Sequence, residues 1–187
     1  MKQKTLVVIV HGYEGNTYDS WKPWLSRELK KRGYMVKIPK MPNPEHPQAN
    51  AWVKAISQAI DDQNGSTILI GHSLGGNAIV RAAEKKGTNV YIKALITIGG
   101  AMLPKKDYAK SLSTFIKKPL NYEIVKKYVK HVYVIYSKDD TAVDMGSAKL
   151  LKKNLGAELI LENSKGHYSS RDKIYKIPII LKLLSDI

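Results

Sequence analysis

A single serine, Ser73, lies between two glycines in the stretch GHSLGGN, residues 71–77. The preceding run STILI, residues 66–70, is short and apolar, which is typical of a buried strand. Small and aliphatic residues then recur at helical spacing, at Leu74, Ala78, Ile79, Ala82 and Ala83. The serine is therefore predicted at a sharp strand-to-helix turn, and the pattern G-x-S-x-G in that setting indicates a nucleophile.

A serine hydroxyl needs a base that takes its proton and a carboxylate that orients the base. Suitable residues follow two later apolar runs: SKDDTAVD (137–144) comes after HVYVIY, and NSKGHYS (163–169) comes after AELIL. We predict His167 as the general base. Asp139 and Asp140 are both candidates for the orienting acid, because both follow the same predicted strand.

The other four histidines are weaker candidates for the base. His72 adjoins the serine, His46 lies in a proline-rich loop, and His131 begins a predicted strand, so these three are interpreted as packing or surface groups. His11 follows the first apolar run and is interpreted as a loop residue that bonds nearby backbone.

Six apolar runs alternate with helical patterns or turns along the chain, at 5–10, 34–38, 66–70, 93–98, 131–136 and 157–161. This alternation predicts a parallel sheet covered by helices on both faces. One helix is expected to end at Gly33, and another carries Trp52 on its apolar stripe. A closing helix is predicted from about Ser170 to Asp186, with a kink or break at Pro178.

The composition favours a single domain spanning residues 1–187. With 43% hydrophobic residues the chain can bury a substantial core, and no apolar run reaches transmembrane length. The start, MKQKTLVVIVHG, is interpreted as a first strand, and no targeting segment is expected. The absence of cysteine excludes disulfides and thiolate metal sites and fits a cytoplasmic protein. Neither a phosphate-loop nor a dinucleotide-binding motif occurs, so no cofactor or metal is expected.

The formal net charge of +15 raises the possibility of an anionic partner. Lysines are densest in residues 105–130, but only four arginines occur in the whole chain, few for reading bases or phosphates. We therefore expect a solvated basic surface and neither nucleic-acid nor membrane binding. A further hypothesis is that residues 105–130 speed association with anionic substrates or partners.

The serine turn and the later acidic and histidine segments resemble the α/β-hydrolases. That resemblance implies a strand order of 2-1-3-4-5-6 and no large cap domain, with residues 100–130 as the only place for a lid. It also gives a role to the His-Gly pair in HGYEGN, residues 11–16. Such a pair implies an oxyanion hole made by the backbone N–H groups of Tyr13 and Leu74.

Two longer stretches, HGYEGNTYDSWKPWL (11–25) and PKMPNPEHPQANAW (39–52), resemble a group of small, capless serine hydrolases that includes retinoblastoma-binding protein nine and its bacterial relatives. This resemblance favours Asp140 as the acid and makes Asp139 a solvated or turn-capping residue. The chain departs from the group at Asp144, where a proline is common. It also lacks the cysteine of an L-x-C-x-E retinoblastoma-binding motif.

The expected function is that of a metal-independent serine hydrolase. It would cleave small acyl ester, thioester or amide substrates through an acyl-enzyme on Ser73, with His167 and Asp140 completing the triad. Two alternatives stay open: a protein-binding module on a hydrolase scaffold, and acyl transfer to an acceptor other than water.

Overall fold

A six-stranded sheet forms the centre of the computed structural model, which describes residues 5–60, 66–86, 91–103 and 112–187. All neighbouring strands are parallel, in the order β2-β1-β3-β4-β5-β6 that the family resemblance implied. The strands are β1 Leu6–Val10, β2 Met35–Lys37, β3 Thr67–His72, β4 Ile92–Ile98, β5 Val129–Ser137 and β6 Glu158–Glu162.

Helices cover both faces of this sheet, as predicted. They are α1 Lys22–Lys31, α2 Ala49–Ile60, α3 Leu74–Lys86, α4 Ser113–Ile116, α5 Tyr122–Tyr128, α6 Met145–Leu155 and α7 Pro178–Ser185. Successive residues of β1 point to opposite faces, so Val8 packs with α2 and α3 whereas Ile9 packs with α1 and α7. This alternation divides the core into two apolar layers, one on each side of the sheet.

The closing helix is shorter than the sequence pattern indicated. It begins at Pro178, whereas the prediction placed its start near Ser170 with a kink or break at the proline. Proline lacks an N–H and has a fixed φ, which makes it favourable in the first helical turn and unfavourable further along. The stop at Gly33 is confirmed, since this glycine follows α1 with a φ of +85°.

The connection between β4 and β5 contains only short helices in its described part. α4 and α5 span four and seven residues, and Asn121 caps α5 by accepting hydrogen bonds from two backbone N–H groups. Lys105, Lys106 and Lys110 of the lysine-rich segment lie outside the described residues. Across the described ranges, no helix has the length and apolar character that a membrane crossing requires.

Candidate active site

Ser73 occupies the sharp turn between β3 and α3 that its flanking glycines predict. Its φ of +52° lies in the left-handed region, which is unfavourable for a residue with a side chain. A Cβ atom on Gly71 would lie 2.4 Å from the carbonyl oxygen of Gly75, and one on Gly75 would lie 2.5 Å from the carbonyl oxygen of His11. Both positions therefore require glycine, and the turn holds the serine at the carboxyl end of the sheet.

Asp140 and His167 form a direct pair at the same end of the sheet. The Nδ1 of His167 donates a hydrogen bond of 2.8 Å to the Oδ2 of Asp140. The Asp140 side chain is completely buried, and its Oδ1 accepts hydrogen bonds from the backbone N–H groups of Ala142 and Val143 at 2.8 and 3.0 Å. These bonds leave Oδ2 for the imidazole and hold the carboxylate in one orientation.

Asp139 points away from the imidazole and connects two loops. Its carboxylate accepts hydrogen bonds from the Ser137 hydroxyl and from the backbone N–H groups of Lys165 and Gly166. The hydrogen bond from Ser137 is the main cause that lowers the pKa of Asp139, and the backbone N–H groups of Gly166 and Lys165 lower it further. The sequence predicted bonding to nearby N–H groups in a turn, whereas the structure shows a link from the β5 loop to the loop that carries His167.

Two further residues, which sequence reasoning did not select, hold the backbone of His167. The Nε2 of His72 donates a hydrogen bond of 2.7 Å to the carbonyl oxygen of His167, and the two rings lie 4.9 Å apart. Asp172 accepts a hydrogen bond of 3.0 Å from the N–H of His167. The one sequence signal for His72 was its position next to Ser73, and Asp172 had only its place in a polar turn.

Burial and charge both act on His72. Its side chain is almost fully enclosed, and this burial lowers its pKa well below the usual value. Electrostatic repulsion from His167 in its protonated form and from Lys22 lowers the pKa of His72 further. His72 is therefore a neutral hydrogen-bond donor beneath His167.

A cavity of about 330 Å³ lies beside the serine turn. Ser73 and His167 lie in its wall together with Tyr13 and Leu74, the residues predicted for the oxyanion hole. The loop after β1 passes directly over the serine, because a Cβ atom on Gly12 would lie 2.8 Å from that of Ser73. A larger cavity of about 520 Å³, lined by Arg81 and other polar residues, has none of the candidate catalytic residues among its described lining.

The remaining histidines take structural positions. His11 is buried, donates a hydrogen bond to the Gly12 carbonyl and accepts one from the N–H of Met41, so its predicted bonding to nearby backbone is confirmed. His46 is exposed, and His131 stacks on Tyr133. Within the described ranges, no group of acidic, histidine or cysteine side chains could hold a metal ion.

Asp144, at the position where the family resemblance implies a proline, is the N-cap of α6. Its side chain accepts a hydrogen bond of 2.6 Å from the N–H of Gly146 and so caps the helix. The loop containing Asp140 therefore ends in an ordered helix start without the proline.

A parallel sheet of this order, with a strained serine after β3, an aspartate after β5 and a histidine after β6, defines an α/β-hydrolase. The family model described as serine hydrolase matches residues 7–186, and the chain belongs to that family. The resemblance noted in the sequence is thereby confirmed, and the protein is a hydrolase of the small, capless kind.

Two relatives and one crystal structure show how far the likeness extends. Putative hydrolase YdeN of Bacillus subtilis strain 168 is 30% identical over 185 residues, covering 96% of this chain and 94% of the relative. Serine hydrolase RBBP9 of Rattus norvegicus is 25% identical over 188 residues, covering 99% and 98%. The crystal structure of the B. subtilis ydeN gene product matches with a TM-score of 0.87 and 27% identity, covering 98% of both chains. The likeness therefore spans the whole sheet and its loops.

Proposed function

We propose that the protein is an esterase-like serine hydrolase that cleaves small acyl esters, thioesters or amides through a Ser73 acyl-enzyme. The observation that carries this proposal is that Ser73 and His167 line one cavity and that His167 is paired with Asp140. The fold brings these residues together from three different loops.

In the proposed mechanism, His167 is the base. Its Nδ1–H is held by Asp140, which leaves Nε2 without a proton and able to take one from Ser73. The serine oxygen attacks the acyl carbonyl carbon, and the proton on Nε2 passes to the leaving alcohol, thiol or amine as its bond to the carbonyl carbon breaks. Water then gives a proton to His167 and attacks the carbonyl carbon of the acyl-enzyme. As the bond to the serine oxygen breaks, His167 returns that proton to Ser73, and the acid is released.

The negative charge on the carbonyl oxygen needs donors in both steps. The backbone N–H groups of Tyr13 and Leu74 are the proposed donors, and this is supported by the place of both residues in the cavity wall beside Ser73. The buried carboxylate of Asp140 stabilises the imidazolium that forms during proton transfer.

The cavity favours small acyl groups. Its volume is about 330 Å³, at the lower end of ligand sites in proteins. Leu103, Leu112 and Val143 contribute apolar surface to its wall, which suits a short hydrocarbon chain.

Labelling with a fluorophosphonate tests the proposed nucleophile. The wild-type protein should become covalently labelled at Ser73, and Ser73→Ala should remain folded but unlabelled. Ser26→Ala, a change on α1 away from the turn, is the matched control and should label like the wild type. Labelling of the Ser73 variant at the wild-type rate would reject the nucleophile. A folded wild type that never labels would favour a binding module.

A panel of p-nitrophenyl esters of increasing acyl length then tests the substrate class. Short esters should give the highest kcat/KM, because the cavity is small. A steady rise in kcat/KM beyond ten carbon atoms would contradict the preference for small acyl groups.

A further inference from the structure

Lys22 is a buried cation in the wall of the candidate active site. It is the first residue of α1, only 1% of its surface is exposed, and it lines the same cavity as Ser73 and His167. Lysine is almost never fully buried in proteins unless its charge is paired.

The ammonium group of Lys22 has no such pair within the described part of the chain. Among the described residues, no carboxylate or carbonyl oxygen accepts a hydrogen bond from it or forms a salt bridge with it. Its Nζ lies 5.6 Å from the ring centre of Trp21, a weak cation–π contact, and the charge of Asp19 acts on it from a distance. The cost of removing this charge from water is therefore largely uncompensated in the free protein.

The charge is nevertheless present near neutral pH. Burial lowers the pKa of Lys22 to about 8, with Asp19 opposing the shift, so the amine is mainly protonated at pH 7. The positive charge also lowers the pKa values of His11 and His72, which places it within electrostatic range of the loops around Ser73.

We propose that Lys22 determines specificity by binding a carboxylate of the substrate, so that the enzyme prefers esters that carry a negative charge. This inference rests on the proposed function. A substrate carboxylate in the cavity would supply the partner that the described residues do not provide, and a charge-assisted hydrogen bond in a water-poor site is strong. The class includes hemiesters of dicarboxylic acids, with the charge on the acyl side, and acyl esters of hydroxybenzoic acids, with the charge on the leaving group.

The other charged groups of the cavity wall do not replace Lys22. Asp172 accepts hydrogen bonds from the N–H groups of His167 and Ser169, while Glu14 and Arg171 are exposed. Asp19 is half-buried and carries the wrong charge to bind a carboxylate. Solvent screens the exposed charge of Arg171, so Lys22 is the buried positive charge that this wall presents to a small anion.

Two matched substrate pairs test the proposal. In the first, mono-p-nitrophenyl adipate is compared with p-nitrophenyl hexanoate, because both acyl chains have six carbons and only one is charged. In the second, 4-acetoxybenzoate is compared with 4-acetoxytoluene. The measured quantity is the ratio of kcat/KM for the charged ester to that for the neutral ester.

Lys22→Met should lower at least one of these ratios by tenfold or more, and the affected pair shows whether the carboxylate lies on the acyl or the leaving-group side. Lys30→Met is the control, because Lys30 is an exposed lysine of the same helix and its loss should change neither ratio by more than twofold. If both ratios in Lys22→Met stay within twofold of the wild type, the proposal is overturned.

A pH series on the unmodified enzyme gives a second measurement that does not depend on the variant folding. The wild-type ratio should fall as pH rises through about 8, where Lys22 loses its proton. His11, His72, His167, Tyr13, Glu14, Asp19, Asp172 and Arg171 are the other charged or titratable groups around this cavity. Their effects on the catalytic machinery are shared by both esters and cancel in the ratio. A ratio that stays flat from pH 7 to pH 9.5 would overturn the proposal.

The two proposals fail in distinguishable ways. If Ser73 labels and p-nitrophenyl hexanoate is hydrolysed but the ratios do not change, only the role of Lys22 is wrong. If folded wild-type protein neither labels nor hydrolyses any ester, the proposed function is wrong and the role of Lys22 falls with it.

Discussion

Two walls of the cavity differ in whether their charged groups form hydrogen bonds within the protein. The acid–histidine wall, residues 141–143, 167 and 169–172, includes His167 and Asp172 and is held by Asp140, and each of these three charged or titratable groups forms at least one hydrogen bond to another protein group. The lysine wall, residues 12–22, holds a buried ammonium without such a bond among the described residues. A charged group that is hydrogen-bonded within the protein is already held in place for catalysis. A buried charged group without such a partner gains one only when a ligand binds.

This contrast predicts different roles for the two walls. The hydrogen bonds to Asp140 fix its position before any substrate arrives, so no reorganisation is needed when the imidazole becomes charged. Lys22 instead lowers the stability of the free protein and gains its partner on binding. The predictions below test whether the acid–histidine wall serves turnover and the lysine wall serves selection and stability.

The largest effect is expected for His167→Ala. Without the base, the serine keeps its proton, and kcat for p-nitrophenyl hexanoate should fall by roughly four powers of ten or more, as for lost triad members elsewhere. His46→Ala, at an exposed histidine outside the cavity, is the control and should leave kcat unchanged. A loss of less than about tenfold in His167→Ala would mean that another group takes the proton.

The two neighbouring aspartates should differ sharply. Asp140→Asn keeps the shape but removes the charge that stabilises imidazolium and fixes its tautomer, so kcat should fall about 10³- to 10⁴-fold. Asp139→Asn removes charge from a link between loops, and its loss of kcat should be about tenfold or less because one oxygen still accepts hydrogen bonds. Steady-state kinetics of both variants decide the matter. Equal losses would contradict the assignment, and a larger loss at Asp139 would reverse it.

The sheet was predictable from the sequence, because continuous apolar runs separated by helical patterns leave few ways to build a parallel fold. The turn at Ser73 was predictable for a similar local reason, since its glycines and flanking elements adjoin it in the chain. The start of the last helix could not be predicted in this way. Apolar spacing extended the last helix backward from Asp186, whereas the chemistry of Pro178 places its start there.

The details of the site could not be derived from residue types alone. Asp139 and Asp140 share one loop, and the turn that aims only Asp140 at His167 depends on N–H groups of Ala142 and Val143. Lys22 is the first residue of α1, and the sequence pattern of this helix does not mark it as a buried position. Its burial results from how α1 packs on the sheet. Tertiary packing therefore decides which of several similar charges becomes functional.

A smaller effect, now on stability, is expected for Lys22→Met. Below about pH 8 the buried ammonium is charged at a cost, so its replacement should raise the free energy of unfolding at pH 7 by up to about 3 kcal/mol. Between about pH 8 and pH 10 the unfolded wild type holds more protons than the folded one. Wild-type stability should therefore rise over this range and the gain of the variant should shrink.

Urea denaturation at pH 7 and pH 9.5 measures this gain. Lys30→Met, at the exposed lysine of the same helix, should change stability little at either pH. If Lys22→Met is less stable than the wild type at pH 7, the buried charge has a compensating partner and the contrast between the two walls fails.

The smallest effect concerns His72, the neutral donor beneath His167. Its folded pKa lies well below the usual value because of burial, so at mildly acidic pH the unfolded chain binds a proton that the folded chain does not. Stability is lost as pH falls below about 6.5, and His72 should contribute to that loss between pH 6.5 and pH 5.5, because only the unfolded chain takes up the proton. His72→Gln keeps an N–H donor for the His167 carbonyl but cannot titrate, so its stability should fall less over this range.

Two other histidines serve as references. Burial also lowers the pKa of His11, so His11 should still contribute to the acid loss of stability in His72→Gln. His46→Gln, at an exposed histidine, should leave the acid dependence unchanged. Urea denaturation at the two pH values measures these differences. If His72→Gln shows the same acid dependence as the wild type, His72 is not a neutral imidazole with a lowered pKa in the folded protein.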